Sequence, residues 1–164
     1  MEKVTLIGHS WGAWLVAIFA EKYPEVVKEI ILVGGGPLED KYVSEIDSRR
    51  VGNLSGEELA LYKRLINNQV TDEDMKKIPA MFEKSDNYCL EDRESHRADK
   101  SDSEMHNLVW SEAAKLRTEG KLLEVFQKID SKIYLIQGHN DPHPAKGVMI
   151  PLQENNVSCE AYVL

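Results

Sequence analysis

Cysteine is scarce in this chain. Among its 164 residues only Cys89 and Cys159 are cysteines, and they stand far apart. That argues against a disulfide framework and against a cysteine-built zinc site, and it fits a reducing compartment. A leader is missing as well: MEKVTLIGHS has neither the basic start nor the apolar stretch of a signal peptide. No apolar run approaches the roughly 18 residues needed to span a bilayer. The expectation is a cytoplasmic protein with no membrane partner. Positive charge also runs short. Lys and Arg number 20 against 28 Asp and Glu, for a net charge of −8, which argues against nucleic acid as a partner. No internal repeat or low-complexity tract occurs. The hydrophobic share of 42% and the charged share of 29% are those of a soluble globular chain long enough for one real core.

Against these absences stands one conspicuous stretch, LIGHSWGAWLV, residues 6–16. An apolar strand, KVTLI (3–7), runs into Gly8-His9-Ser10-Trp11-Gly12. A helix follows over 11–22, apolar at almost every position and stopped by Tyr23 and Pro24. A second apolar run, KEIILV (28–33), closes on Gly34, Gly35, Gly36 and Pro37. Strand, helix and strand within some thirty residues make a βαβ unit. Continuously apolar strands predict a parallel sheet covered on both faces.

Residues 38–128 differ in character. They are acidic and helical in period. Ser55–Glu58 reads as a capping box, Thr71–Asp74 opens another helix that Pro79 should bend or end, and Ser101–Glu104 opens a third that reaches Arg117 with Gly120 as C-cap. Residues 85–100 read as a polar loop. The sheet pattern returns with KIYLIQ (132–137), the turn Gly138–Asp141, a helix over 144–155 bent at Pro151, and a last strand over 158–164.

Gly-x-Ser-x-Gly between an apolar strand and an apolar helix is a nucleophile elbow. The turn forces the serine into a strained backbone and pushes its Oγ clear of the sheet. Gly8 and Gly12 are expected to be required because a side chain at either would strike its neighbour. The Trp11 N–H, at the helix N-terminus, is placed to stabilise an oxyanion.

With those residues in place, nearly the whole chain resembles the α/β-hydrolase family. KVTLIGHSWGAWLVAIFAEKYPEVVKEIILVGG is similar to the family's fifth strand, elbow, helix and sixth strand; KIYLIQGHND is similar to the seventh strand and the turn that carries the triad acid. The resemblance implies an α/β fold with a mostly parallel sheet and flanking helices. The partial hydrolase core would be 1–37 and 129–164, and a helical cap would be inserted at 38–128. It implies Ser10 as nucleophile, Asp141 as acid, Trp11 in the oxyanion hole, no cofactor and no metal. The implied substrate is a small acyl compound, an ester, thioester or amide, cleaved through an acyl-enzyme. Ser131-Lys132 stands where many relatives have a proline, at no catalytic cost.

The departures are larger. The family's histidine follows its eighth strand, and this chain ends there. The early strands and the loop giving a second oxyanion donor would precede residue 1. The resemblance therefore implies a core cut short at both ends, and the other reading is a catalytically incompetent fragment or a binding module. His143 follows Asp141 in the correct order and is the possible surrogate base. His9 is expected to be structural, His139 a turn residue, and His96 and His106 surface residues or substrate contacts. His139, Asp141 and His143 alternate as metal ligands can, without a fourth partner. Trp14 reads as core and Trp110 as packing within the cap; the acidity of the cap reads as a solvated face, and the lesser alternative is an unidentified cap carboxylate that receives an amino group, as in aminopeptidases of the family. In a complete relative strand 3–7 would lie inside the sheet; bare here, it is expected to form a homo-oligomer through that edge.

Overall fold

The computed structural model describes residues 2–67, 69–87 and 103–164, with side chains from Leu108 in the last stretch. Cys89, His96, the side chain of His106 and the start of the expected third cap lie outside the described residues. Four strands, β1 (Val4–His9), β2 (Val27–Val33), β3 (Lys132–Gln137) and β4 (Cys159–Val163), form one sheet in the order β1-β2-β3-β4, every pair parallel. α1 (Trp11–Lys22) connects the first two strands. A 3-10 turn (Asp40–Tyr42) and helices α2 (Val43–Asn53), α3 (Gly56–Ile66), α4 (Asp72–Asp86), α5 (Ser103–Thr118) and α6 (Lys121–Gln127) separate β2 from β3. α7 (Lys146–Glu154) precedes β4.

The expected punctuation is present, with two differences. Glu58 accepts from the Ser55 amide, and Thr71 and Asp74 cap each other at 3.2 and 3.1 Å. Gly120 takes the left-handed conformation between α5 and α6. α4, however, runs through Pro79 to Asp86, past the start of the expected polar loop, and α7 runs through Pro151.

The expectation of a sheet covered on both faces is overturned. The register aligns Leu6, Ile30, Ile133 and Cys159 in one row and Gly8, Leu32, Leu135 and Ala161 in another. These rows face α1, α6 and α7, and with Ala13, Ala17, Leu122, Phe126 and Leu152 they make the main core. The opposite rows, Ile7-Ile31-Tyr134 and Val33-Ile136-Tyr162, stay outside it; Ile7 is 67% exposed and Tyr162 48%. Apolar continuity records two-sided burial, but among the described residues the helices that join the core meet one side of the sheet. α1 shows the same one-sidedness. Its Ala13, Trp14, Ala17 and Ala20 are buried, whereas Leu15 and Phe19 are exposed.

α3 and α4 enclose a separate apolar cluster of Leu54, Leu61, Tyr62 and Met81. α6 sends Leu122 and Phe126 into the core under the sheet, where Ala113 and Leu116 of α5 join them. Among the described residues, no helix is long and apolar enough to cross a membrane.

Candidate functional site

The parallel sheet brings the ends of β1, β2 and β3 to one edge, the place where such folds bind ligands. Ser10, Gly34 and the turn holding Asp141 lie there. Ser10 takes φ 54° and ψ −121°, a conformation that non-glycine residues seldom adopt and that costs on the order of 1–3 kcal/mol. Its amide donates to the Val33 carbonyl at 2.9 Å, which anchors the turn to β2, and its carbonyl accepts from the Ala13 amide at 3.0 Å.

The two glycines of the elbow are not equivalent. A Cβ on Gly8 would lie 2.1 Å from the Gly12 carbonyl oxygen, so the helix returns past the strand only because Gly8 has no side chain. At Gly12 nothing lies within 4 Å of where a Cβ would sit, which corrects the expectation that both must be glycine. Trp11 is the first residue of α1, so its N–H has no acceptor within the helix.

Asp141 is held by its surroundings. Its Oδ1 accepts from the His143 amide at 2.8 Å and lies 3.1 Å from the His143 ring Nδ1. Its backbone carbonyl accepts from Arg49 of α2 at 2.7 Å. Arg49 is itself forked onto Glu45, and Lys146 reaches the same carboxylate at 2.6 Å. These two cations, Lys146 first, hold the Glu45 carboxyl below the usual range. The Asp141 side chain sits beside Gly34, which has φ 55°. A Cβ on Gly34 would meet Asp141 Oδ2 at 3.2 Å and His9 Nε2 at 3.4 Å. Gly34 is therefore a spacer for the acid as well as the end of β2.

Ser10 opens on a cavity of about 170 Å³ whose walls include Trp11, Trp14, Asp47, Arg50 and His143. Trp110 of α5 also lines it, 47% exposed and stacked on Trp14 with ring centroids 6.3 Å apart; it is a cavity wall rather than the interior packing expected of it. Arg117 lies over Trp14 at 5.7 Å and bonds Asp40. Arg50 pairs with Asp86 at 2.8 and 2.7 Å; burial opposes its charge, and the carboxylate reverses that and raises its pKa. Asp47 accepts from Tyr62, whose hydroxyl burial and this carboxylate push up to about 12.

Larger hollows of about 420, 450 and 410 Å³ lie elsewhere, and none touches Ser10, Asp141 or His143. The Cys159 thiol, pushed up to about 11 by burial, is a poor nucleophile. Among the described residues no group of three or more His, Cys, Asp and Glu is placed to hold a metal. His139 is exposed, with its amide bonded to the Leu164 carbonyl. Sequence reading missed Arg49, Asp47 and Arg50 altogether. Nothing in the local pattern of α2 distinguishes an inward-facing charge from a solvated one.

The sequence profile for the alpha/beta hydrolase fold matches residues 1–144. Solved structures resemble the chain in fold. Proline iminopeptidase from Mycobacterium smegmatis has a TM-score of 0.59 and 16% identity, over 100% of this chain and 57% of its own. A lipase-esterase related protein from Clostridium acetobutylicum has a TM-score of 0.53 and 18% identity, over 99% and 57%. The 2-hydroxy-6-oxo-6-phenylhexa-2,4-dienoate hydrolase from Rhodococcus sp. strain RHA1 has a TM-score of 0.52 and 14% identity, over 99% and 56%. The chain thus spans a little over half the length of these proteins. No curated protein sequence matches it.

Proposed function

The chain belongs to the α/β-hydrolase fold family, and from that membership we propose that it cleaves an ester, thioester or amide through an acyl-enzyme on Ser10. In this reading Ser10 Oγ attacks the substrate carbonyl, the Trp11 N–H stabilises the oxyanion, and Asp141 orients and stabilises the base. Residues of α2 and α5 act as a cap over the cavity, and no cofactor is needed. The observation that carries the reading is the backbone of Ser10: a non-glycine residue at φ 54° between strand and helix, opening on a cavity. Strain of this kind persists where function uses it.

The cavity also bears on the substrate. At about 170 Å³ it is below the roughly 300–1,000 Å³ of sites for drug-sized ligands, which favours a short acyl group. The test is covalent labelling of the chain with a small fluorophosphonate, located by peptide mass. Label on Ser10, lost in Ser10→Ala, supports the reading. A chain that stays unlabelled and does not hydrolyse p-nitrophenyl acetate above the uncatalysed rate is an incompetent fragment or a binding module.

A further inference from the structure

The chain carries a net charge of −8, yet two guanidiniums, those of Arg50 and Arg117, wall the cavity on which Ser10 opens. They are committed to different degrees. Arg50 uses Nε and Nη2 in a two-point pair with Asp86, and its Cζ lies 4.9 Å from the centroid of the Phe82 ring. Arg117 of α5 uses Nε alone, on Asp40 Oδ1 at 2.6 Å. Among the described residues its two Nη groups make no hydrogen bond. A guanidinium has five N–H donors, so four remain.

The cation and its partner are also placed differently. The Arg117 side chain is 12% exposed and the Asp40 side chain 47%, and Asp40 does not line the cavity. The negative end of the pair therefore lies toward solvent and the positive end on the cavity wall. The guanidinium is held in place. Its Cζ lies 5.7 Å from the centroid of the Trp14 ring. That ring is fixed in turn by Trp110 stacked on it and by its own N–H, which donates to the Gly36 carbonyl at 3.1 Å. An enclosed cation with unused donors is costly unless an acceptor meets them. A carboxylate offers two oxygens in one plane, the match for the edge of a guanidinium. The one acid on the wall, Asp47, is exposed, and its Oδ1 already accepts from Tyr62.

We propose that Arg117 is a specificity-determining residue that binds a carboxylate carried by the acyl group of the substrate. The preferred substrates are then half-esters, half-thioesters or half-amides of short dicarboxylic acids. The assignment rests on Ser10 being the nucleophile. The scissile carbonyl sits at Ser10 Oγ, and the distal carboxylate reaches Arg117 across the same cavity, with the methylenes between them against the indole rings. A volume of about 170 Å³ keeps that chain short.

All three tryptophans of the chain, Trp11, Trp14 and Trp110, line this cavity, so intrinsic fluorescence reports its occupancy. The complete chain carrying Ser10→Ala, which leaves an ester uncleaved, is titrated at pH 7 with monomethyl succinate, dimethyl succinate and β-alanine methyl ester. These are anionic, neutral and cationic versions of one short ester. A hydrogen-bonded charge is worth at least about tenfold in Kd, so monomethyl succinate should bind more tightly than the other two by that margin. Arg117→Gln should remove the margin, and Asp47→Asn should not reduce it; thermal unfolding shows that each variant is folded. With Ser10 intact, monomethyl succinate should slow fluorophosphonate labelling of Ser10 more than dimethyl succinate does. Equal affinity for the three esters overturns the proposal whatever the variants do, as does a margin that folded Arg117→Gln retains. Tightest binding of β-alanine methyl ester, lost in Asp47→Asn, overturns it in favour of an ammonium site. The serine reading fails separately. A chain that shows the margin and takes no label on Ser10 keeps the carboxylate site and loses the nucleophile, and a labelled chain without the margin does the reverse.

Discussion

Arg49 Nη1 lies 2.7 Å from the backbone carbonyl of Asp141, so a helix of the intervening segment holds the turn that carries the acid. The same guanidinium reaches the His139 carbonyl at 3.3 Å and forks onto Glu45. Arg49 touches no reacting atom and acts by positioning. Arg49→Ala should cost about 1 kcal/mol, the lower end for a charged donor because the side chain is a third exposed. α2 should stay docked through the pair of Glu45 and Lys146. The specific signature is faster hydrogen exchange at the His143 amide, which donates to Asp141, with turnover falling through kcat while KM holds. Arg49→Lys should not restore it, because an ammonium cannot fork between two carbonyls and a carboxylate. Unchanged exchange at that amide would remove Arg49 from the site.

The elbow glycines should respond in opposite ways. Gly8→Ala places a Cβ 2.1 Å from a backbone oxygen that no side-chain rotation can move. A loss of more than about 3 kcal/mol is expected, in the range of severe backbone and packing defects. Gly12→Ala meets open space inside a helix, where alanine is favoured over glycine by roughly 0.5–1 kcal/mol. It should leave the melting temperature unchanged or raise it. Equal damage from the two substitutions would show that the elbow is closer-packed around Gly12 than its geometry implies.

That asymmetry marks how far the sequence could be read. The elbow, the βαβ unit, the parallel sheet and the helix starts at Ser55 and Thr71 were legible because each rests on local chemistry or on period. Gly8 and Gly12 look alike in a motif, and only the path of the helix past the strand separates them. Continuous apolar strands predicted two covered faces, since the residues of a strand record burial and not which chain supplies it. The bond of Arg49 to the Asp141 carbonyl and the place of Asp47 in the cavity wall depend on α2 meeting the strand ends in space. No spacing in the sequence announces that meeting.

We propose that the chain associates with a second copy through the edge of β1. β1 pairs with β2 on one edge, and among the described strands nothing pairs with the other. Val4 and Ile7 are 49% and 67% exposed beside that edge. A bare apolar edge strand is a template for pairing. Sedimentation should give a mass that rises with concentration in the micromolar range. Ile7→Lys, which removes no buried contact, should shift the distribution to the monomer. A monomer throughout that range, with the amides of β1 exchanging freely, would defeat the expectation.

The pairing of Asp74 with Arg64 should set how the α3–α4 unit responds to acid. The guanidinium bonds both carboxylate oxygens, at 3.0 and 2.6 Å, and the Thr71 amide adds a third donor at 3.1 Å. Arg64 first, and then the Thr71 amide, hold the Asp74 carboxyl well below the usual range. A carboxyl whose folded pKa lies below its unfolded one stabilises the fold fully above the unfolded value of about 3.9. The contribution is lost as pH falls from there through the folded value. Asp74→Asn keeps the shape and removes the charge. The variant should therefore unfold at lower urea than wild type at pH 7 and pH 5, and the two should converge progressively below about pH 4 as wild-type Asp74 takes up its proton. Urea midpoints across that series check the sign directly. A gap that persists unchanged to the acid end would mean that Asp74 acts through packing and not through its charge.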